Sequence, residues 1–253
     1  MADALPVDPA AMTSDRPRIE AVAFDLDGLL VNTEELYQHV GTELLRRRGR
    51  PFEPELLDAM MGRPQPLSLR IMIEWHDLSD TVEALAAETK QIFSALLDTR
   101  LRTMKGAVEL LAGLDSARGG RGIPRGVATS SGPDFALDVL GRVGLLGRFA
   151  FVLTCADVTH GKPHPEIYQL AARRLAVEPG RMLVLEDSQA GCAAAVAAGA
   201  VAVAVPGGHS RRHDFTGAAL IAESLADPAI HALLGLGPAE DSAAATGAPN
   251  RRS

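Results

Sequence analysis

The stretch "AVAFDLDGLLVNTEEL" spans residues 21–36. It begins as an unbroken apolar run of strand length. The run stops at two aspartates, Asp25 and Asp27, with Leu26 between them and Gly28 after. A carboxylate taken out of water is costly unless a cation or hydrogen-bond donors compensate it. Acids at the end of a buried strand therefore call for a metal, a cationic side chain or a reaction. Gly28 lets the chain turn sharply as it leaves the strand.

Five short apolar runs read as buried strands: "EAVAF" (20–24), "RGVAT" (125–129), "FVLTC" (151–155), "MLVLE" (182–186) and "AVAVAV" (200–205). Near-continuous apolar strands alternating with helices indicate a parallel sheet covered on both faces. Helical periodicity follows the later strands at 133–143, 165–176 and 188–198, the last closed by Gly199. The first and second strands are separated differently. Helical segments at 34–48, 54–60, 66–74 and 80–100 fill the interval, and 107–117 leads back to the sheet. The expected fold class is α/β, a parallel-sheet core (18–34 and 104–236) with an inserted all-helical domain (35–103). Residues 1–17 and 237–253 are small, polar and Pro/Gly-containing, and are expected to be disordered tails.

The formal net charge is −7 and the sequence pI about 5.5. An acidic balance argues against nucleic acid as a partner. The most apolar stretch, 192–208, is broken by Gly199 and is too short for a membrane span. The first residues lack a cationic start and an apolar run, so no secretory signal is expected. Cys155 and Cys192 are the only cysteines. They read as reduced thiols of a cytoplasmic protein. Lysine is scarce in an arginine-rich chain: only Lys90, Lys105 and Lys162 occur.

In open parallel sheets the ligand crevice lies at the carboxyl ends of the strands. The first strand ends in Asp25 and Asp27. The second ends in Thr129, Ser130 and Ser131. Beyond the third comes "ADVTHGKPHP" with Lys162, and the fourth ends in Glu186 and Asp187. Each has a plain structural reading: a turn, a helix cap, a loop into a helix. Together they supply carboxylates, hydroxyls, a helix N-terminus and an ammonium, a set suited to an oxyanion plus a hard cation.

"FDLDGLLVNTE", "ATSSG", "GKPHPEIY" and "LEDSQAGCAAAVAAGA" resemble the four signature motifs of the haloacid dehalogenase superfamily, in its phosphatase and phosphomutase branch. The resemblance covers about residues 19–234. It implies a Rossmann-like core with a helical cap, Mg²⁺ as cofactor and a small phosphorylated metabolite as partner. It further implies Asp25 as nucleophile and Asp27 as general acid and base. Asp25, Asp187, Glu186 and the Asp27 carbonyl would hold the metal. Thr129, Ser130 and Lys162 would hold phosphate, and Ser131, Glu34 and Arg63 are candidate substrate contacts.

A second aspartate two residues after the first favours phosphate esters over carbon–halogen bonds. Beta-phosphoglucomutases are the main alternative. They carry a threonine and a histidine four residues apart after the first motif, where this chain has Thr33 and Tyr37. Their cap lysine and arginine fall at Met61 and Gln65, with Arg63 close by. The expected reaction is hydrolysis of a sugar or polyol phosphate through an aspartyl-phosphate, with a phosphomutase second and a non-catalytic binding relative third. The residues do not specify an oligomeric state.

Overall fold

This computed structural model describes residues 18–60, 63 and 65–237. Both tails and Met61 thus lie outside the described residues, apart from Gly237. Strand β1 (Ala21–Phe24) is followed by helices α1 (Thr33–Arg46), α2 (Pro54–Met60), α3 (Gln65–His76) and α4 (Val82–Arg100). Helix α5 (Ala107–Gly120) returns to the sheet, and its residues Ala117–Gly119 have left helical geometry. Then come β2 (Arg125–Ala128), α6 (Pro133–Arg142), β3 (Val152–Leu153), α7 (Glu166–Leu175), β4 (Met182–Glu186), α8 (Gln189–Ala197), β5 (Val201–Ala204), β6 (Leu220–Ile221) and α9 (Pro228–Leu234). The strands form one sheet in the order β3-β2-β1-β4-β5-β6, with every neighbouring pair parallel.

Alternation along β1 divides the core into two layers. Val22 and Phe24 join the apolar cluster that includes α5 (Leu110, Leu111, Leu114) and α6 (Val139, Leu140). Ala21 and Ala23 join the cluster that includes α7 (Ile167, Tyr168) and α8 (Ala194, Ala195). Alanines on that face allow helix backbones to approach closely, and the buried Tyr168 fills the remaining depth.

The five expected strands are present, with β3 shortened. Beyond Leu153, Thr154 caps a 3₁₀ turn, and its backbone N–H donates to Asp157 Oδ2 at 2.8 Å. Two elements went unforeseen. β6 is a two-residue edge strand, too short to show a period. α9 has only seven residues, but Asp227 accepts from the Ala229 N–H at 2.9 Å and Pro228 opens the helix, a start signal present in the sequence.

Helices α1–α4 form the helical cap. α1 packs on α4, and α3 packs on α2 and α4. At the far end of α1, Arg48 donates to both oxygens of Asp80 at 2.7 and 2.9 Å and to Glu88 at 2.8 Å. Two linkers join cap and core. Val31 and Thr103 pair as an antiparallel bridge. The Asn32 side chain spans the linkers, donating to Arg100 O at 3.3 Å and accepting from the Arg102 N–H at 2.8 Å.

Candidate active site

The carboxyl end of the sheet is where the motif residues converge. β1 lies between β2 and β4, and the Asp25 N–H donates to Leu185 O of β4 at 3.0 Å. That bond fixes the first residue beyond the strand. The chain then folds back through a tight loop, with the Gly28 N–H bonded to Val31 O at 2.9 Å. Gly28 has φ +77°, and a Cβ there would overlap the Asp187 carboxylate. The glycine therefore serves both the turn and the close approach of β4's terminal acid.

Asp27 faces three hydroxyls. Thr33 donates to its Oδ1 at 2.6 Å, and Ser131 and Thr129 donate to its Oδ2 at 2.6 and 3.2 Å. Ser131, expected at the substrate, is thus engaged with Asp27, while the neighbouring exposed Ser130 lines the cleft. The Thr129 N–H pairs with Leu153 O at 2.9 Å, which fixes the end of β2.

Lys162 arrives from the loop after β3. Its Nζ donates to Asp25 Oδ1 at 2.5 Å, Glu186 Oε1 at 2.6 Å and Ala128 O at 2.9 Å, and the side chain is 5% exposed. Glu186 is fully buried. Its Oε1 also accepts the Tyr168 hydroxyl at 2.6 Å, and its Oε2 accepts the Ser188 hydroxyl at 2.9 Å and the Ser188 N–H at 3.3 Å. With both oxygens so engaged, Glu186 positions Lys162 from behind the site, and it is not among the cleft-lining residues. Tyr168 escaped notice in the sequence because one tyrosine on a helix face looks like core. Only the strand-end logic applied to the loop after β5 could have found His213, which also lines the cleft.

The cleft has a volume of about 970 Å³ and is lined by Asp25, Asp27, Thr129, Lys162 and Asp187, with Glu34 and Asp58 from the cap side. Arg63 is placed elsewhere, at an adjoining cap cavity of about 390 Å³ that Glu34 also lines.

The electrostatics are those of crowded, buried acids. Burial pushes Asp25 up to about 8 against the pull of Lys162, with Glu186 and Asp27 adding to the rise. Asp187 is raised well above the usual carboxylate range by burial, then by Asp25, Glu186 and Glu34. Burial, helped by Asp27, lifts Glu34 to about 7. For Lys162, burial disfavours the charge, but Asp25 and Glu186 outweigh it and hold the ammonium well above its ordinary value. Carboxylate oxygens of Asp25, Glu186 and Asp187 lie within 4.8 Å of one another. More negative charge gathers here than Lys162 alone offsets. A hard divalent cation with oxygen ligands fits Asp25 and Asp187, the two of these acids that line the cleft.

Comparison with known proteins agrees with this arrangement. Residues 22–205 match the haloacid dehalogenase-like hydrolase family. Validoxylamine A 7'-phosphate phosphatase of Streptomyces hygroscopicus subsp. limoneus is 36% identical over 187 residues, covering 74% of this chain and 85% of its own. Phosphorylated carbohydrates phosphatase of Thermotoga maritima is 36% identical over 185 residues, covering 72% of this chain and 82% of its own. Among solved structures, beta-phosphoglucomutase of Clostridium difficile superposes with a TM-score of 0.62 at 25% identity, covering 82% of this chain and 92% of its own. The family match spans most of the chain and both flanks of the cap, and the protein belongs to the haloacid dehalogenase-like hydrolases.

Proposed function

We propose that this protein is a Mg²⁺-dependent phosphatase that hydrolyses a small phosphate monoester, a sugar or polyol phosphate, through an aspartyl-phosphate on Asp25. The observation carrying this reading is the convergence of Asp25, Asp27, Asp187 and Lys162 from two strand ends and one loop onto one cleft. The names of the two relatives support the substrate class.

In this reading an Asp25 oxygen attacks phosphorus while Thr129, the Ser130 amide and Lys162 hold the phosphate oxygens. Asp27 protonates the departing alcohol oxygen, then takes a proton from the water that cleaves the acyl phosphate. Splitting the displacement in two makes each step easier. Asp25, Asp187 and the Asp27 carbonyl would hold Mg²⁺, which supplies the charge neutralisation an anionic nucleophile needs beside an anionic substrate. Lys162, anchored by Glu186, keeps Asp25 oriented until phosphate competes for its ammonium. Cap and core divide at about residues 34–35 and 103–104, and cap closure about the paired linkers excludes water.

The phosphomutase reading is not better supported than hydrolysis. Tyr37, at the histidine position, stacks on Phe93 with ring centroids 4.3 Å apart. Arg63 lies at the cap cavity and not at the acid cleft.

The test is a screen of phosphate monoesters with and without Mg²⁺, scoring released phosphate, beside an assay for conversion of β-glucose 1-phosphate to glucose 6-phosphate with a bisphosphate primer. Mg²⁺-dependent release from sugar or polyol phosphates is expected. Asp25→Asn should lower it by at least about 10³-fold while leaving the far-ultraviolet circular dichroism unchanged. Conversion without phosphate release would overturn hydrolysis, and an active Asp25→Asn protein would overturn the nucleophile.

A further inference from the structure

The loop that carries Lys162 inward presents a second group of residues outward. His160 and His164 flank Lys162 in sequence, and Glu166 opens α7. The side chain of Lys162 is 5% exposed, whereas those of His160 and His164 are 63% and 48% exposed. The same few residues thus serve two environments.

The carboxylate of Glu166 is fixed before any ligand arrives. The Thr159 N–H donates to its Oε1 at 2.8 Å and the His160 N–H to its Oε2 at 3.0 Å. These donors, with the His160 ring, hold its pKa below the usual glutamate range. Both imidazoles converge on one oxygen. His160 Nδ1 lies 3.0 Å and His164 Nδ1 3.8 Å from Glu166 Oε2, and the ring centroids are 4.5 Å apart. Donor atoms of all three residues lie within 4.8 Å of one another. Ligand atoms on a tetrahedral ion with bonds of 2.0–2.1 Å are about 3.3 Å apart. The two measured edges bracket that value. A plain ion pair at a helix start uses one imidazole, and its geometry does not require a second ring at the same oxygen. The one competing bond at His164, from the Glu166 N–H to Nδ1, is long at 3.3 Å.

We propose that His160, His164 and Glu166 form a cation site for a borderline transition metal of the Zn²⁺ or Ni²⁺ type, on the outer side of the loop that delivers Lys162. Two imidazoles and one carboxylate suit such ions, whereas the all-oxygen set at Asp25 and Asp187 suits Mg²⁺. The exposed side leaves room for water to complete the coordination. An ion held there ties the residues on either side of Lys162 to the first turn of α7. The site does not depend on the phosphatase reading.

The test is calorimetric titration of NiCl₂ into the untagged full chain in saturating MgCl₂, which keeps the all-oxygen site occupied. The expected result is one bound equivalent for the native protein. His160→Ala and His164→Ala should each weaken binding by at least about tenfold, with circular dichroism unchanged. Ni²⁺ should raise the Tm of the native protein and leave that of the His160→Ala/His164→Ala double variant where it was. Absence of binding to the native chain, or equal affinity in the variants, overturns the proposal.

Discussion

One methyl group at residue 28 tests how tightly the site is built. The φ of +77° penalises any side chain, and the new carbon would collide with Asp187. Gly28→Ala should therefore lose activity by at least about a hundredfold and lower stability by roughly 1–3 kcal/mol. Phosphate release and denaturant unfolding check both parts, and an active, undestabilised variant would show that the loop tolerates displacement of Asp187. At this scale much of the site was legible. Asp25, Thr129, Lys162 and Asp187 each follow a recognisable strand or sit in a recognisable loop, so position alone marked them. The hydrogen bonds of Ser131 to Asp27 and of Tyr168 to Glu186 were not legible. They join residues 104 and 18 apart in the chain, and nothing local encodes such pairings. Arg63 borders the cap cavity, and a charge near a cap helix end does not by itself say which cavity it borders.

At the scale of the element, the ion pairs of Arg48 join α1 to the start of α4 and the turn before it. Hydrogen bonds from Arg48 hold both Asp80 and Glu88 below the usual carboxylate range. A carboxylate with a depressed folded pKa stabilises above its ordinary pKa, and that stabilisation is lost as pH falls through the folded value. Arg48→Leu should thus lower the Tm by a few degrees at pH 7, from pairs contributing roughly 0.2–1 kcal/mol each. The difference from the native protein should shrink as pH falls below about 4. Fluorescence of Trp75, the single tryptophan and a cap residue, follows it directly. A Tm difference that persists at pH 3 would assign the effect to packing of the arginine stem. Elements themselves were readable wherever they were long or fully apolar. The two-residue β6 was not, because it is too short to show a period, and α9 was marked only by Asp227 and Pro228 at its start.

Across the whole molecule, the acid cluster links metal, proton and folding equilibria. Asp25 at about 8 and Glu34 at about 7 lie above the ordinary carboxylate values, so the folded protein binds protons the unfolded chain releases. In EDTA, stability should then decline as pH rises from about 5 towards 8. Mg²⁺ competes with those protons, so its effect on Tm should be larger at pH 8 than at pH 6. Scanning calorimetry with and without MgCl₂ measures the difference, and an increment independent of pH would remove the buried acids from the metal's binding set. Layer order followed from the alternation of apolar strands and helices. How far the cap stands from the core did not, since it depends on two short linkers and not on periodicity.

Those linkers touch where they leave the sheet: Val31 faces Thr103, and Asn32 bonds across to Arg100 and Arg102. For the sheet, some seventy intervening residues are equivalent to a short closed turn, because the entropy of bringing their ends together is met locally. The catalytic architecture can therefore keep its registration while the module above it is lengthened, shortened or exchanged. A replacement at this position needs only an insert whose two ends meet.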